Sequence, residues 1–429
     1  MRAALAVAAG LLAAAAPARA ETVLVTADRM LDVAAGRYVE RPAVLVRDGR
    51  IAAVGRQGDV AAPADARRVE LPGRTLVPGL IDMHVHLTSE PTLSGYRRLE
   101  YTDTFWNVLA VPAAERTLQA GFTTVRSLGA RDYGDVALRQ AIDGGYVQGP
   151  RIVAATFAIG ATGGHCDTNT NVPSQARTAA GVADGPEAVR QKVRELRKLG
   201  AQVIKVCATG GVFSRNTDPG AQQMTYEELK MAADEAHMLG MKVAAHAHGA
   251  DGIKAAIRAG VDTIEHVSFI DAEGIRLARE RGTFLGFDVY NTEYTLAEGA
   301  KNGVLPENIE KERRVGTLQR ENFRAAVRGG ARHIFSTDAG IFPHGDNARQ
   351  FAVMTRFGMT PLQAIRSATL NAAEALGRAA DVGQIAVGRY GDMVAVTGDP
   401  LADVSVLERP EAVIKGGVVV RGAGVAPAR

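Results

Sequence analysis

Val77–Leu87 reads VPGLIDMHVHL, an almost wholly apolar run that carries His84 and His86 two residues apart. Alternate residues of a strand point to the same side, so the two imidazoles project together, with Asp82 on the same parity. Such a pair is either hydrogen-bonded inside a core or holds a metal, imidazole being the commonest side-chain ligand. Other strand-like stretches carry similar residues: Lys205 in AQVIKVC, His246 and His248 in VAAHAHG, His266 in VDTIEHVSF, Asp338 in IFSTDAG. Lys205 is the oddest, because burial is costly for an ammonium and drives it towards the neutral amine. It is either paired with a carboxylate or neutral. A neutral amine beside metal ions reacts with carbon dioxide to give a carbamate, whose two oxygens on a long stem bridge two cations. Four histidines, one carboxylate and one carbamate suit two first-row divalent ions, zinc above all.

Residues this far apart in sequence need a scaffold that gathers them. Through the middle of the chain a unit recurs: a helix-like stretch, a glycine, then a short apolar strand. Gly121, Gly200, Gly240, Gly260, Gly282 and Gly330 each precede such a strand, and glycine ends helices because the left-handed conformation costs it little. The His84 strand and Arg151–Gly160 complete a set of eight. Helix starts are legible in the capping box of Thr225 with Glu228 and in Thr360 followed by Pro361. The pattern predicts an α/β fold, a (β/α)8 TIM barrel with its active site where the strands end; a doubly wound open sheet is the alternative. The polar residues then belong to strands 1, 4, 5, 6 and 8. His165, in TGGHC, follows strand 3, and Tyr226 opens the helix after strand 4, both on the same face. His344, after strand 8, is a further candidate for substrate contact. The loops Ser89–Asp103 and Tyr290–Lys301 are expected to wall the pocket.

Both ends of the chain have a different texture. Thr22–Val60 alternates short strands and turns, with an Asp48-Gly49 hairpin signal, and similar segments return after residue 381. These predict a small β-sandwich built from residues 21–77 and 381–429, flanking a barrel over 78–380. Residues 1–20 combine Arg2, an apolar run and Ala18-Arg19-Ala20, the pattern of a secretory signal. Export, to the periplasm in the first instance, is therefore expected, with no membrane span in the mature chain.

At 46% hydrophobic and 23% charged the composition is that of a globular protein. A net charge of +3 offers no electrostatic argument for nucleic acid. Cys166 and Cys207 are the only cysteines; a disulfide is permitted outside the cytoplasm, and the sequence leaves their pairing open.

HVH after a PGLID strand, the strand-4 lysine, AHAHG, IEHVS and STDAG together resemble the amidohydrolase superfamily with a carboxylated-lysine binuclear centre. The likeness is greatest to the bacterial peptidase branch, which includes Xaa-Pro and Xaa-Arg/Lys dipeptidases and enzymes cleaving ochratoxin-like amides. It covers nearly the whole mature chain, including PHGDN at Pro343–Asn347 and GMTPLQAI after it. The resemblance implies that His84, His86 and Asp338 hold one metal and His246 and His266 the other, with carboxylated Lys205 between them. His248 then contacts substrate, as do His165 and Tyr226. It further implies a metal-bridging hydroxide that attacks the amide of a dipeptide or N-acyl amino acid, Asp338 moving the proton to the leaving amine. A homo-oligomer, of which an octamer is one form, is implied as well. Two rivals stand: a deaminase or cyclic-amide hydrolase of the same superfamily, and a non-enzymatic metal-binding protein. Lys205 argues against the single-metal deaminase type, and ligands dispersed over separate strands argue against a metal-binding tract.

Overall fold

The computed structural model describes residues 22–169 and 172–422. Its central strands are β1 (Leu80–Val85), β2 (Phe122–Ser127), β3 (Arg151–Ala154), β4 (Val203–Cys207), β5 (Lys242–Ala247), β6 (Thr263–His266), β7 (Phe284–Phe287) and β8 (His333–Phe335). Parallel pairing joins β1 to β2 to β3, and β4 through to β8 in order. Two single bridges link these sets: Ile159 to Val206, beyond β3, and Val85 to Ala339, beyond β8. The eight strands therefore run round a closed circuit, a TIM barrel in agreement with the glycine–strand repeat. Apart from Lys242 and Arg151 every strand residue is buried, as expected of parallel strands covered on both faces.

Local signals set the helices. Thr225 and Glu228 form a reciprocal capping box at the start of Tyr226–Met238, and Thr360 and Gln363 do the same for Pro361–Ser367. Gly260 and Gly282, at φ 95° and 72°, cap the helices Ala250–Ala259 and Ala272–Arg281 in the left-handed conformation. Tyr290–Lys301, expected as a loop, contains the helix Asn291–Glu298, and Ser89–Asp103 contains the 3-10 turns Pro91–Leu93 and Gly95–Glu100. A 23-residue helix, Pro306–Arg328, follows.

Strands from both ends of the chain share one eight-stranded sheet. Met393–Thr397, Ala412–Lys415 and Val418–Arg421 join Thr22–Asp32, Arg37–Glu40, Pro42–Arg47, Arg50–Arg56 and Arg67–Pro78. Asp48 and Gly49, both at positive φ, turn the hairpin between two of these strands. The sheet has a core of its own, with Val25, Val44, Val46, Leu76, Met393 and Ile414. Arg67–Pro78 runs through Gly79 directly into β1, so the sheet anchors the strand that carries His84. A Cβ on Gly79 would lie 2.3 Å from Thr123 Oγ1 and 2.8 Å from Asp392 Cβ, so this junction admits no side chain. Among the described residues no helix is long and apolar enough to cross a membrane. The expected secretory signal, residues 1–20, lies outside the described residues.

Candidate active site

The polar residues singled out above lie at the C-terminal ends of the barrel strands. His84 is 1% exposed, and its Nε2 lies 3.2 Å from Nε2 of His86. Asp338 Oδ1 stands 3.4 Å from the first of these nitrogens and 3.1 Å from the second. Opposite, His246, His248 and His266 each offer a ring nitrogen within 4.8 Å of the others. The remaining nitrogens are held from behind. His86 Nδ1 meets the Gly129 carbonyl at 3.1 Å, and His246 Nε2 the Gly210 carbonyl at 3.0 Å. His248 Nδ1 lies 2.8 Å from Ser268 Oγ, and His266 Nδ1 lies 3.0 Å from Asp288 Oδ2. Oxygen partners behind imidazoles fix the ring orientation and tautomer, an arrangement typical of metal sites.

At three of these imidazoles the electrostatics favour the neutral form. Burial, reinforced by neighbouring cations, holds His84, His246 and His248 well below the usual histidine range. Burial also opposes charge on His266, but the Asp288 carboxylate outweighs it and raises that pKa. Lys205 lines the same cavity, is 3% exposed, and burial lowers its amine to about 8. No hydrogen bond or ion pair to it is formed by any described residue, so the carboxylate-paired alternative is not what the geometry presents. Four inward-facing imidazoles, one carboxylate and an amine without a hydrogen-bond partner turn their nitrogen and oxygen donor atoms towards one cavity. This donor set fits two divalent cations.

The backbone at two of these residues is strained. His266, Val267 and Asp338 adopt φ of 70°, 58° and 59°, a region that costs a residue with a side chain about 1–3 kcal/mol and clusters at functional sites. Beneath the histidines lie supporting groups, of which the sequence reading marked only Asp82, for its shared parity. Asp82, fully buried, accepts hydrogen bonds from the His84 and Thr337 amides, from Thr337 Oγ1 at 2.5 Å and from Asn347 Nδ2 at 2.8 Å, tying β1 to β8. Burial raises its carboxyl to about 7 against those bonds. Glu265 Oε2 faces His84 Nδ1 across 3.5 Å, neither atom having a hydrogen-bond partner. Arg126 Nη2 donates to the other Glu265 oxygen at 2.5 Å. Asp288 and Asn291 were also missed; Asn291 Nδ2 donates to both Asp288 and Asp338. An aspartate directly after the apolar strand FLGF was the one available signal.

The structure separates the substrate-contact candidates. His165 and His248 line the cavity, which encloses about 260 Å³. His165 stacks on His246 with ring centroids 4.0 Å apart, and burial holds it neutral, down to about 3. Cys166, beside it, is disulfide-bonded to Cys207 at the end of β4, with Cα atoms 6.1 Å apart. Tyr226 does not join them: it is 40% exposed at the start of its helix and lines no part of the cavity. His344 is buried outside the cavity, against the His86 carbonyl at 3.1 Å.

Residues 75–420 match the amidohydrolase family. The chain belongs to that family. Ochratoxinase from Aspergillus niger is 33% identical, the match covering 91% of this chain and 85% of the relative. Among solved structures, a Xaa-Pro dipeptidase with methionine bound in its active site superposes with a TM-score of 0.88. It is 35% identical, over 94% of this chain and 100% of that one. The crystal structure of the A. niger ochratoxinase gives 0.83 at 30% identity, over 95% and 97% of the two chains. This amidohydrolase is thus a hydrolase acting on amide or peptide carbon–nitrogen bonds, as the sequence reading expected.

Proposed function

We propose that this amidohydrolase is an exported enzyme that cleaves dipeptides or N-acyl amino acids and releases the C-terminal amino acid. The observation that carries the reading is Lys205, buried and partnerless among imidazoles and Asp338. His84, His86 and Asp338 would hold one divalent ion, His246 and His266 the other, with Lys205 as a bridging carbamate and zinc as the metal. When bound, such ions supply a water acidified towards neutrality and polarise a carbonyl. Asp338, beside both His84 and His86, accepts the proton from the attacking water and delivers it to the leaving nitrogen. Asn291 holds its second oxygen and so fixes which oxygen faces the reacting atoms. Asp288 keeps the His266 ring turned inward, and His165 and His248 remain free to hold the substrate carboxylate or developing oxyanion. Tyr226 has no part in this arrangement.

The test is a hydrolysis screen of zinc-loaded enzyme against libraries of Xaa–amino acids and N-acyl amino acids, with hydantoins and lactones alongside. Release of the C-terminal amino acid supports the reading. Turnover of the cyclic compounds alone would replace it with a cyclic-amide hydrolase. Size-exclusion chromatography tests the accompanying proposal of a homo-oligomer.

A further inference from the structure

Three carboxylates line the cavity, and two are committed to the site histidines. Asp338 faces His84 and His86; Asp288 is bound by His266, Asn291 and Gln319. Glu312 is the third, 4% exposed, on the helix Pro306–Arg328 with Val315 and Gln319 lining the cavity from the same face. Its one hydrogen bond comes from the Thr292 hydroxyl, through Oε1, and it forms no ion pair among the described residues. One turn earlier on that helix, Asn308 lines an adjoining cleft that meets the main cavity at Ser89, Phe213 and Ile341. Asn308 is 6% exposed, and its Oδ1 is buried without a hydrogen-bond partner. Residues four apart on a helix are neighbours, so the two acceptors lie one helical turn apart, Glu312 on the cavity and Asn308 on the cleft that adjoins it. A buried carboxylate of this kind is costly without a cation in contact; Arg320 and His266 act on it electrostatically but form no ion pair with it.

We propose that Glu312 and Asn308 receive a free ammonium group on the acyl half of the substrate, so that dipeptides with an unblocked N-terminus are the preferred class. An ammonium carries three donors and no acceptor, matching a carboxylate oxygen and an amide oxygen one helical turn apart. An N-acylated substrate presents a neutral amide there and leaves the carboxylate unpaired. Burial raises the Glu312 carboxyl to about 7, so an arriving ammonium also draws it into its ionised form. The inference rests on the amide-hydrolase reading above and narrows it.

The experiment compares matched libraries of Xaa–amino acid dipeptides and their N-acetyl counterparts, with the zinc-loaded wild type, Glu312→Gln and Asn308→Ala. The wild type is expected to favour the free dipeptides by at least about tenfold in kcat/KM. Glu312→Gln should lose about ten- to hundredfold on the free series, the scale of a lost hydrogen bond to a charge, and less than about threefold on the acetylated series. Zinc content, measured in each preparation, should be unchanged. A pocket merely loosened by the substitution lowers both series alike, and that outcome overturns the proposal, as does a wild type that favours acetylated substrates. If Glu312→Gln does not fold, the wild-type preference and Asn308→Ala carry the same comparison. Failure of the wild type on both libraries overturns the hydrolase reading itself, and the proposal with it.

Discussion

Replacing Arg126 with methionine exposes what the floor of the active site costs the fold. Arg126 and Glu265 are both 0% exposed inside the barrel. The guanidinium donates to the Met83 carbonyl at 2.6 Å, Thr263 Oγ1 at 3.0 Å and Glu265 Oε1 at 2.5 Å. Removing it leaves the Glu265 carboxylate buried with no cation of its own, which costs about 3–5 kcal/mol. Over roughly 400 described residues the unfolding entropy is about 0.8 kcal/mol per kelvin, so the melting temperature should fall by about 4–6 °C. Arg126→Met with Glu265→Leu removes both charges, and apolar replacements of a buried pair are often neutral or stabilising. The double variant should recover at least half of the loss. Its activity should not recover, because His84 Nδ1 has Glu265 Oε2 as its neighbour at 3.5 Å, and losing such a supporting contact costs about 10–100-fold. Circular-dichroism melts and zinc analysis of the four proteins decide the matter. If the double variant is as unstable as the two single losses summed, the pair contributes no mutual stabilisation and the reasoning is wrong.

Chelation should abolish activity and zinc should restore it, with His84→Ala and His266→Ala losing metal and rate together; undiminished turnover in a metal-free preparation would falsify the metal assignment. Lys205→Ala should lose nearly all activity, with partial rescue by added short carboxylates that can bridge two cations. A density map showing unmodified Lys205 in the metal-loaded enzyme refutes the carbamate. His165→Ala should cost about 2–4 kcal/mol of transition-state stabilisation with zinc content intact, and amidating the substrate's C-terminus should do comparable damage. Equal cleavage of amidated and free dipeptides removes the carboxylate-anchoring role. Cys207→Ser opens a loop closed over a separation of 41 residues, worth about 4 kcal/mol in the chain-entropy relation; unchanged melting on reduction would show that the clamp is energetically idle.

The barrel was legible because its information is local and repeated. Six times a glycine closes a helical stretch before a short apolar strand, and with two further strands of the same kind the repeat leaves few alternatives. The inward-facing residues were legible for a related reason: a histidine, lysine or aspartate in an apolar strand is visible without a structure. What failed was angular placement beyond strand ends. Tyr226 sits one residue after its N-cap, where a helix can aim a side chain inward or outward, and nothing local decides between them. Whether Cys166 meets Cys207 depends on how the loop after β3 folds back over β4, which has no short-range signature. Asp288, Glu265 and Arg126 were missed because they serve other side chains rather than a ligand. Asp288 lies 22 residues from His266, and Arg126 lies 139 from Glu265, and no spacing rule connects these pairs.

The helix Pro306–Arg328 links these observations. Gln319 donates to the His266 carbonyl at 3.0 Å and to Asp288 Oδ1 at 2.6 Å. A single side chain thereby braces both the strained backbone of a proposed metal ligand and the carboxylate that orients its ring. Seven residues earlier, Glu312 meets the space available to substrate. Positions separated by seven share a helical face, so the wall that selects the substrate and the brace that holds His266 are one rigid element. A shift of that helix along its axis would move both at once. Specificity and ligand geometry in this site are therefore mechanically coupled, and substitutions that reshape the pocket near Val315 should be read together with zinc affinity.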